Sequence, residues 1–264
     1  MKKGIKIALL TLAGLIVGGG AVILAFGGRP FVRQAGEDFQ NTDSVTATPY
    51  PYGDRAVPDD YIPVTFGGWT VSAPVQLESV YKEGDNELRK RVYTADYGTD
   101  GRLGLFFVEP YAFGALDLTG QLEDKKVSSG IADFVMKSYA KKLGYQLTDW
   151  YTLFDLVYHL TSADAGSSLR NGLGYYLFAY LKEETVSHPA WEFHTKTADG
   201  FIQINYAAED SPSQTPYGVI AELFPKNDRN TAHDLILKAS DEETLINMIN
   251  SLQFDPTKAE GAGS

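Results

Sequence analysis

The chain has 264 residues, with 23 basic and 34 acidic side chains, a net charge of −11 and no cysteine. The acidity argues against nucleic acid as a partner, because a phosphate backbone needs neutralising cations. The missing cysteine excludes disulfides, thiolate metal sites, a cysteine nucleophile and a lipid-modified cysteine anchor, and with no Asn-x-Ser/Thr sequon the composition leans toward a bacterial extracytoplasmic protein.

From Ile7 to Gly27 there is no charged residue, and Thr11 is the one hydroxyl. At a rise of about 1.5 Å per residue this run spans a hydrocarbon core of about 30 Å. Lys2, Lys3 and Lys6 precede it, and Arg29 and Arg33 follow, so the positive-inside rule predicts a cytoplasmic N-terminus. Two readings compete: a retained signal anchor, favoured by the length of the run, and a secretory signal cleaved near Ala25-Phe26-Gly27. Gly14 and Gly18 match a small-xxx-small seam for helix pairing, a pattern that is also simply common in membrane helices.

Residues 29–60 read as a disordered linker. Pro49 and Pro51 favour extended geometry, and Pro-Tyr-Pro-Tyr at 49–52 reads either as a spacer or as a docking motif. From residue 37 onward the chain carries 18 basic and 34 acidic groups, which also argues against docking on anionic headgroups.

Strand signals open the globular part. Ile62–Phe66 and Trp69–Ala73 flank Gly67-Gly68, and Leu88–Ala95 and Arg102–Val108 flank a glycine-bearing turn at 97–101. The middle is helical. Ile131, Phe134, Val135, Ser138 and Lys142 keep helical spacing up to Gly144, and Asp149 caps a helix striped by Leu153, Leu156, Val157 and Leu160. A third helix runs through Leu169, Leu173, Tyr176, Leu177, Tyr180 and Leu181, despite Gly172 and Gly174. On it Tyr176 and Tyr180 fall on the core side, whereas Tyr175 and Phe178 are candidates for a partner-binding surface.

The last third returns to strands. Ala190–Thr197 alternates, Asp199-Gly200 reads as a hairpin turn, and Phe201–Ala207, Tyr217–Phe224 and Asp234–Ala239 follow. Ser240 and Glu243 form a capping-box pattern for a helix through Asn250, and Phe254 closes a short strand. The expected organisation is a transmembrane helix over 1–28, a linker over 29–60, an extracytoplasmic domain over 61–256 and a tail over 257–264. The domain is α+β, an antiparallel sheet packed with helices.

Three stretches resemble bacterial Mog1/PsbP-like extracytoplasmic domains: the hairpin segment at 189–204, the helix and strand at 240–254, and the opening hairpin at 62–74. The resemblance implies an αβα sandwich serving as a binding or accessory module, and it carries no catalytic residue.

Chemistry-bearing motifs are sparse. His188, Glu192 and His194 share strand parity, two imidazoles and a carboxylate that suit zinc, although this parity equally describes the solvent face of an edge strand. His159 reads as a rim residue of its helix, and His233 marks a strand start. No nucleophile elbow, phosphate loop or dinucleotide fingerprint is present, so no cofactor is expected, and Gly98, Gly101 and Gly104 are turn glycines. The leading expectation is a membrane-anchored, non-enzymatic binding domain for an envelope protein. The alternatives are a cell-surface hydrolase using an acid and a base carboxylate, and a structural envelope protein.

Overall fold

The structure, a computed structural model, describes residues 27–79, 90–97, 101–108, 110–113, 116, 118, 129–207 and 213–259. It is a mixed α+β fold with a large, mostly antiparallel sheet and packed helices. The chain forms two compact units: unit 1 takes residues 1–46 and 115–187, unit 2 takes 47–114 and 188–264. The expected membrane helix lies, but for its last two residues, outside the described residues, as do Gly14, Gly18 and Leu88. Among the described residues no helix is long and apolar enough to cross a membrane.

The described part of unit 1 is helical: α1 (Arg29–Asp38), α2 (Asn41–Ser44), α3 (Ser129–Lys142), α4 (Trp150–His159) and α5 (Leu169–Thr185). The first two stand where a disordered linker was expected. Phe31 and Ala35, four residues apart, are buried, and the rings of Phe31 and Phe39 lie 6.3 and 5.2 Å from that of Tyr176. Two buried positions on one short helix, beside Pro30 and several polar residues, leave too little periodicity to read. Asp149 caps α4 as expected, accepting from the Thr152 N–H in a capping box.

Helix α5 packs against the other helices of its unit, and its glycines allow this. A Cβ on Gly172 would lie 2.3 Å from the Gly28 carbonyl oxygen, and one on Gly174 would lie 2.5 Å from Tyr139 Cβ. Because α5 is covered on several sides, a one-stripe reading of it fails. Tyr175 and Phe178, expected on the surface, are buried, while Tyr176 and Tyr180, expected in the core, are only half-buried.

Unit 2 contains β1 (Ala47–Pro49), β2 (Ile62–Phe66), β3 (Trp69–Ala73), β4 (Glu78–Ser79), β5 (Lys90–Tyr97), β6 (Gly101–Val108), β7 (Tyr111–Ala112), β8 (Ala190–His194), β9 (Ala198–Ile204), β10 (Tyr217–Pro225), β11 (Thr231–Ala239), α6 (Glu242–Asn250), β12 (Gln253–Phe254) and α7 (Pro256–Ala259). The large sheet runs β1-β8-β9-β10-β11-β6-β5-β4, with β7 also on β11; β1 and β8 are its parallel pair. A small sheet, β12-β3-β2, and α6 cover one face of it. The strand period of two sends Leu103, Leu105 and Phe107, Val219, Ala221 and Leu223, and Leu235 and Leu237 into this core, where Trp69, Val71, Leu245 and Ile249 meet them.

Two local expectations shift by one or a few residues. The β8–β9 turn lies at 195–197, where the Thr195 hydroxyl donates to the Ala198 carbonyl and accepts from the Ala198 N–H. Asp199 and Gly200 are inside β9, and a Cβ on Gly200 would lie 2.2 Å from the Glu222 carbonyl oxygen, so this glycine serves a close cross-strand approach. The cap of α6 is Asp241, which accepts from the Thr244 N–H at 2.8 Å, and not Ser240. Gly67 and Gly68, both at positive φ, make the β2–β3 turn as expected.

Candidate functional site

The Pro-Tyr-Pro-Tyr stretch is neither spacer nor free motif: it packs within unit 2, where Pro49 and Tyr50 line a cavity. Strand β1 pairs with β8 from Ala47↔Ala190 to Pro49↔Glu192, and the Tyr50 N–H continues the ladder to the Glu192 carbonyl at 3.1 Å. The chain then turns back through Tyr52. Tyr50 meets the edges of Tyr52, Trp191 and Phe193 at ring separations of 5.7, 5.5 and 5.5 Å, and Tyr52 meets Trp191 at 5.8 Å. Edge-to-face contacts of this kind add about 0.5–1.5 kcal/mol each beyond burial. The Arg55 guanidinium covers the outer face of Tyr52 at 4.8 Å.

Asn250, the last residue of α6, locks this box. Its Oδ1 accepts from the Tyr50 hydroxyl at 2.8 Å, and its Nδ2 donates to the Tyr52 and Arg55 carbonyls. Burial pushes the Tyr50 phenol above its ordinary range, so it stays neutral and donating. The space bounded by Tyr50, Glu192, Phe193, His194, Thr195 and Asn250 measures about 400 Å³, within the range of small-molecule sites.

One end of the cavity is organised by a buried carboxylate. Asp199 meets His194 Nδ1 at 3.0 Å, Lys226 Nζ at 3.2 Å and Arg229 Nη2 at 2.8 Å. Lys226 also donates to the Thr195 carbonyl at 2.6 Å. The β9 and β10 termini thus hold His194 at the rim through its Nδ1. Sequence parity brought out His194 but not Asp199, which was read as a turn residue.

His188, Glu192 and His194 do not gather their ligand atoms within 4.8 Å of one another, so these candidates do not assemble a zinc set. His194 is turned to Asp199, and His188 precedes β8. Among the side chains lining the cavity, the Thr195 hydroxyl is spent on the turn and that of Tyr50 on Asn250, so neither is an activated nucleophile.

A separate pair of carboxyls stands on the large sheet. Glu222 of β10 is directly opposite Asp234 of β11. Both residues are half-buried overall, yet both carboxyls are pushed above their ordinary ranges, Glu222 the more strongly. Burial raises both, joined at Glu222, as the smaller cause, by the charge of Asp234. No sequence pattern marks the pair, because its meaning depends on strand register.

No family model matches this chain, and no curated protein matches it.

Proposed function

We propose that the chain is a single-pass membrane protein with a cytoplasmic N-terminus, whose folded part works on the extracytoplasmic side as a non-enzymatic binding or accessory domain. The apolar run over 7–27, with three lysines before it, supports the address. The role rests on one observation: the cavity beside Tyr50 offers aromatic surface and fixed polar groups, while its hydroxyls are engaged within the chain. Such a site orients a ligand without attacking it. The resemblance of three stretches to Mog1/PsbP-like domains points the same way.

The test uses the full-length chain in its host membrane. It should stay with the membrane after alkaline washing, keep its N-terminal sequence, and lose residues beyond 28 to protease added outside spheroplasts. Recovery as an untrimmed, detergent-free soluble chain would overturn the address. In detergent, turnover of a glycoside, ester or phosphoester panel would overturn the role.

One observation favours a second reading, a surface hydrolase: the cross-strand Glu222 and Asp234 carboxyls, both raised, supply the chemistry of an acid and a base. That reading requires panel turnover that disappears in Glu222→Gln.

A further inference from the structure

Helix α3 presents exposed apolar side chains. Its buried side is Ala132, Val135, Met136, Tyr139 and Ala140. On the opposite side Phe134 is 61% exposed, and Ile131, between the two sides, is 41% exposed; these are the large hydrophobics that stand exposed among the described residues. Lys137 and Lys141 continue the stripe at steps of three and four, Lys137 also pairing with Asp133 at 2.9 Å. At 100° per residue Phe134 lies across the helix from the core, so it is no fringe of the buried stripe. An apolar patch followed by lysines whose stems can lie flat while the ammonium reaches water is the pattern of a helix at a lipid interface.

The attachment of the chain says which surface is nearby. The apolar run ends at Gly27, and the Gly28 N–H already donates to the Ser167 carbonyl at 3.0 Å. Gly28 is pressed so closely on Gly172 that no side chain fits between them. No residue therefore separates the run from the docked backbone of Gly28, and consecutive Cα atoms lie about 3.8 Å apart. The Lys142 side chain, at the C-terminal end of α3, reaches toward this point: a Cβ on Gly166, next to Ser167, would stand 3.2 Å from its Nζ. Phe134 is then about 12 Å back along the helix. The acidic excess that argues against anionic headgroups is smallest here: residues 28–46 and 115–187 carry nine basic and twelve acidic groups, whereas unit 2 carries eleven and twenty-two.

Resting on the membrane-anchored reading, we infer that the Ile131–Phe134 face of α3 docks on the lipid interface next to the anchor. Phe134 and Ile131 enter the headgroup–acyl boundary, and Lys137 and Lys141 reach the phosphates.

The chain has no cysteine, so single thiol labels are clean. Full-length Phe134→Cys and Ile16→Cys variants are labelled with an environment-sensitive fluorophore. Each is reconstituted into vesicles of phosphatidylcholine with a minority of phosphatidylglycerol, with and without nitroxide-bearing lipid. The label at 134 should shift to the blue and lose about half its emission to nitroxide, as for a group some 5–10 Å into the boundary. Ile131→Cys repeats the measurement if Phe134→Cys does not fold. Quenching at 16 but not at 134 overturns the docking and leaves the anchor standing. No quenching at 16 overturns both. A blue shift at 134 that ignores nitroxide but grows with protein density also overturns the docking, in favour of a second copy of the chain.

Discussion

The indole N–H of Trp69, on β3 of the small sheet, donates to Nδ1 of His233, on β11 of the large sheet, across 3.0 Å. Both side chains are buried, and the imidazole also lies among the rings of Phe107 and Phe254. With Nδ1 accepting, His233 must be neutral and carry its proton on Nε2. Protonation would set one N–H against another, and burial holds the imidazole down at about 4.

Acid should therefore loosen unit 2 through His233. Its folded value lies below the ordinary 6.5, so the unfolded chain binds the extra proton. The stabilisation is complete above about pH 6.5 and drains away as pH falls toward 4, by about 3 kcal/mol in all. His233→Phe should flatten that stretch of the pH profile, at a cost near neutrality of about 1–3 kcal/mol for the orphaned Trp69 N–H. Thermal unfolding followed by tryptophan emission measures both. An unchanged acid slope in the variant would show that other groups carry it.

Lys182 makes the same case in unit 1, at alkaline pH. Its ammonium is wholly buried and donates to the carbonyls of Leu160, Thr42 and Tyr158 at 2.6, 3.1 and 3.4 Å. It thereby closes the C-terminal end of α4 and fastens α2 beside it. Burial lowers its value to about 8, with Asp43 and Asp164 opposing. Between about pH 8 and 10.5 the unfolded chain holds more protons, so this lysine's contribution to stability rises with pH across that window. Lys182→Met should abolish the rise and cost about 2 kcal/mol at neutral pH by stranding the carbonyls. A Lys182→Met protein as stable as the parent would mean that water replaces the ammonium.

Periodicity made most elements legible, and burial decided what it could not. The alternation at Trp191 and Phe193 and the heptad-like stripe of α4 have one buried face each, so they read correctly. Tyr175 and Phe178 misled because α5 is covered on several sides, which removes any single stripe. The segment 29–52 misled for the opposite reason: its few anchors, Phe31, Ala35, Tyr50 and Tyr52, are spread among prolines and polar residues and gain meaning only from distant partners. The cavity was invisible for that reason, since it joins Tyr50, His194 and Asn250 across some 200 positions of chain.

Gly172 looked like a helix defect and is a contact. The backbone of Gly28 occupies the place of its Cβ, at 2.4 Å from Cα and 2.3 Å from the carbonyl oxygen. Alanine normally gains up to about 1 kcal/mol over glycine inside a helix. Here Gly172→Ala should instead destabilise by about 1–3 kcal/mol, the usual cost of overpacking. Hydrogen exchange should show the loss concentrated at the start of α1 and its Gly28 N–H. A more stable Gly172→Ala protein would mean that Gly28 is not held against α5.

The opposed carboxyls of Glu222 and Asp234 give the sharpest sign. A folded carboxyl raised above 4.5 binds its proton more tightly than the unfolded one, so stability falls as pH climbs through the ordinary glutamate range toward the folded value. Glu222→Gln should remove that decline and gain up to about 1 kcal/mol at neutral pH, the size of a like-charge cross-strand penalty. Asp234→Asn separates the two causes. If burial dominates, most of the decline survives this substitution; if the facing charge dominates, both variants flatten the profile equally. The same two proteins bear on function. A binding domain should keep its ligand in both, because neither carboxyl lines the cavity beside Tyr50, whereas a hydrolase built on the pair should lose turnover in both.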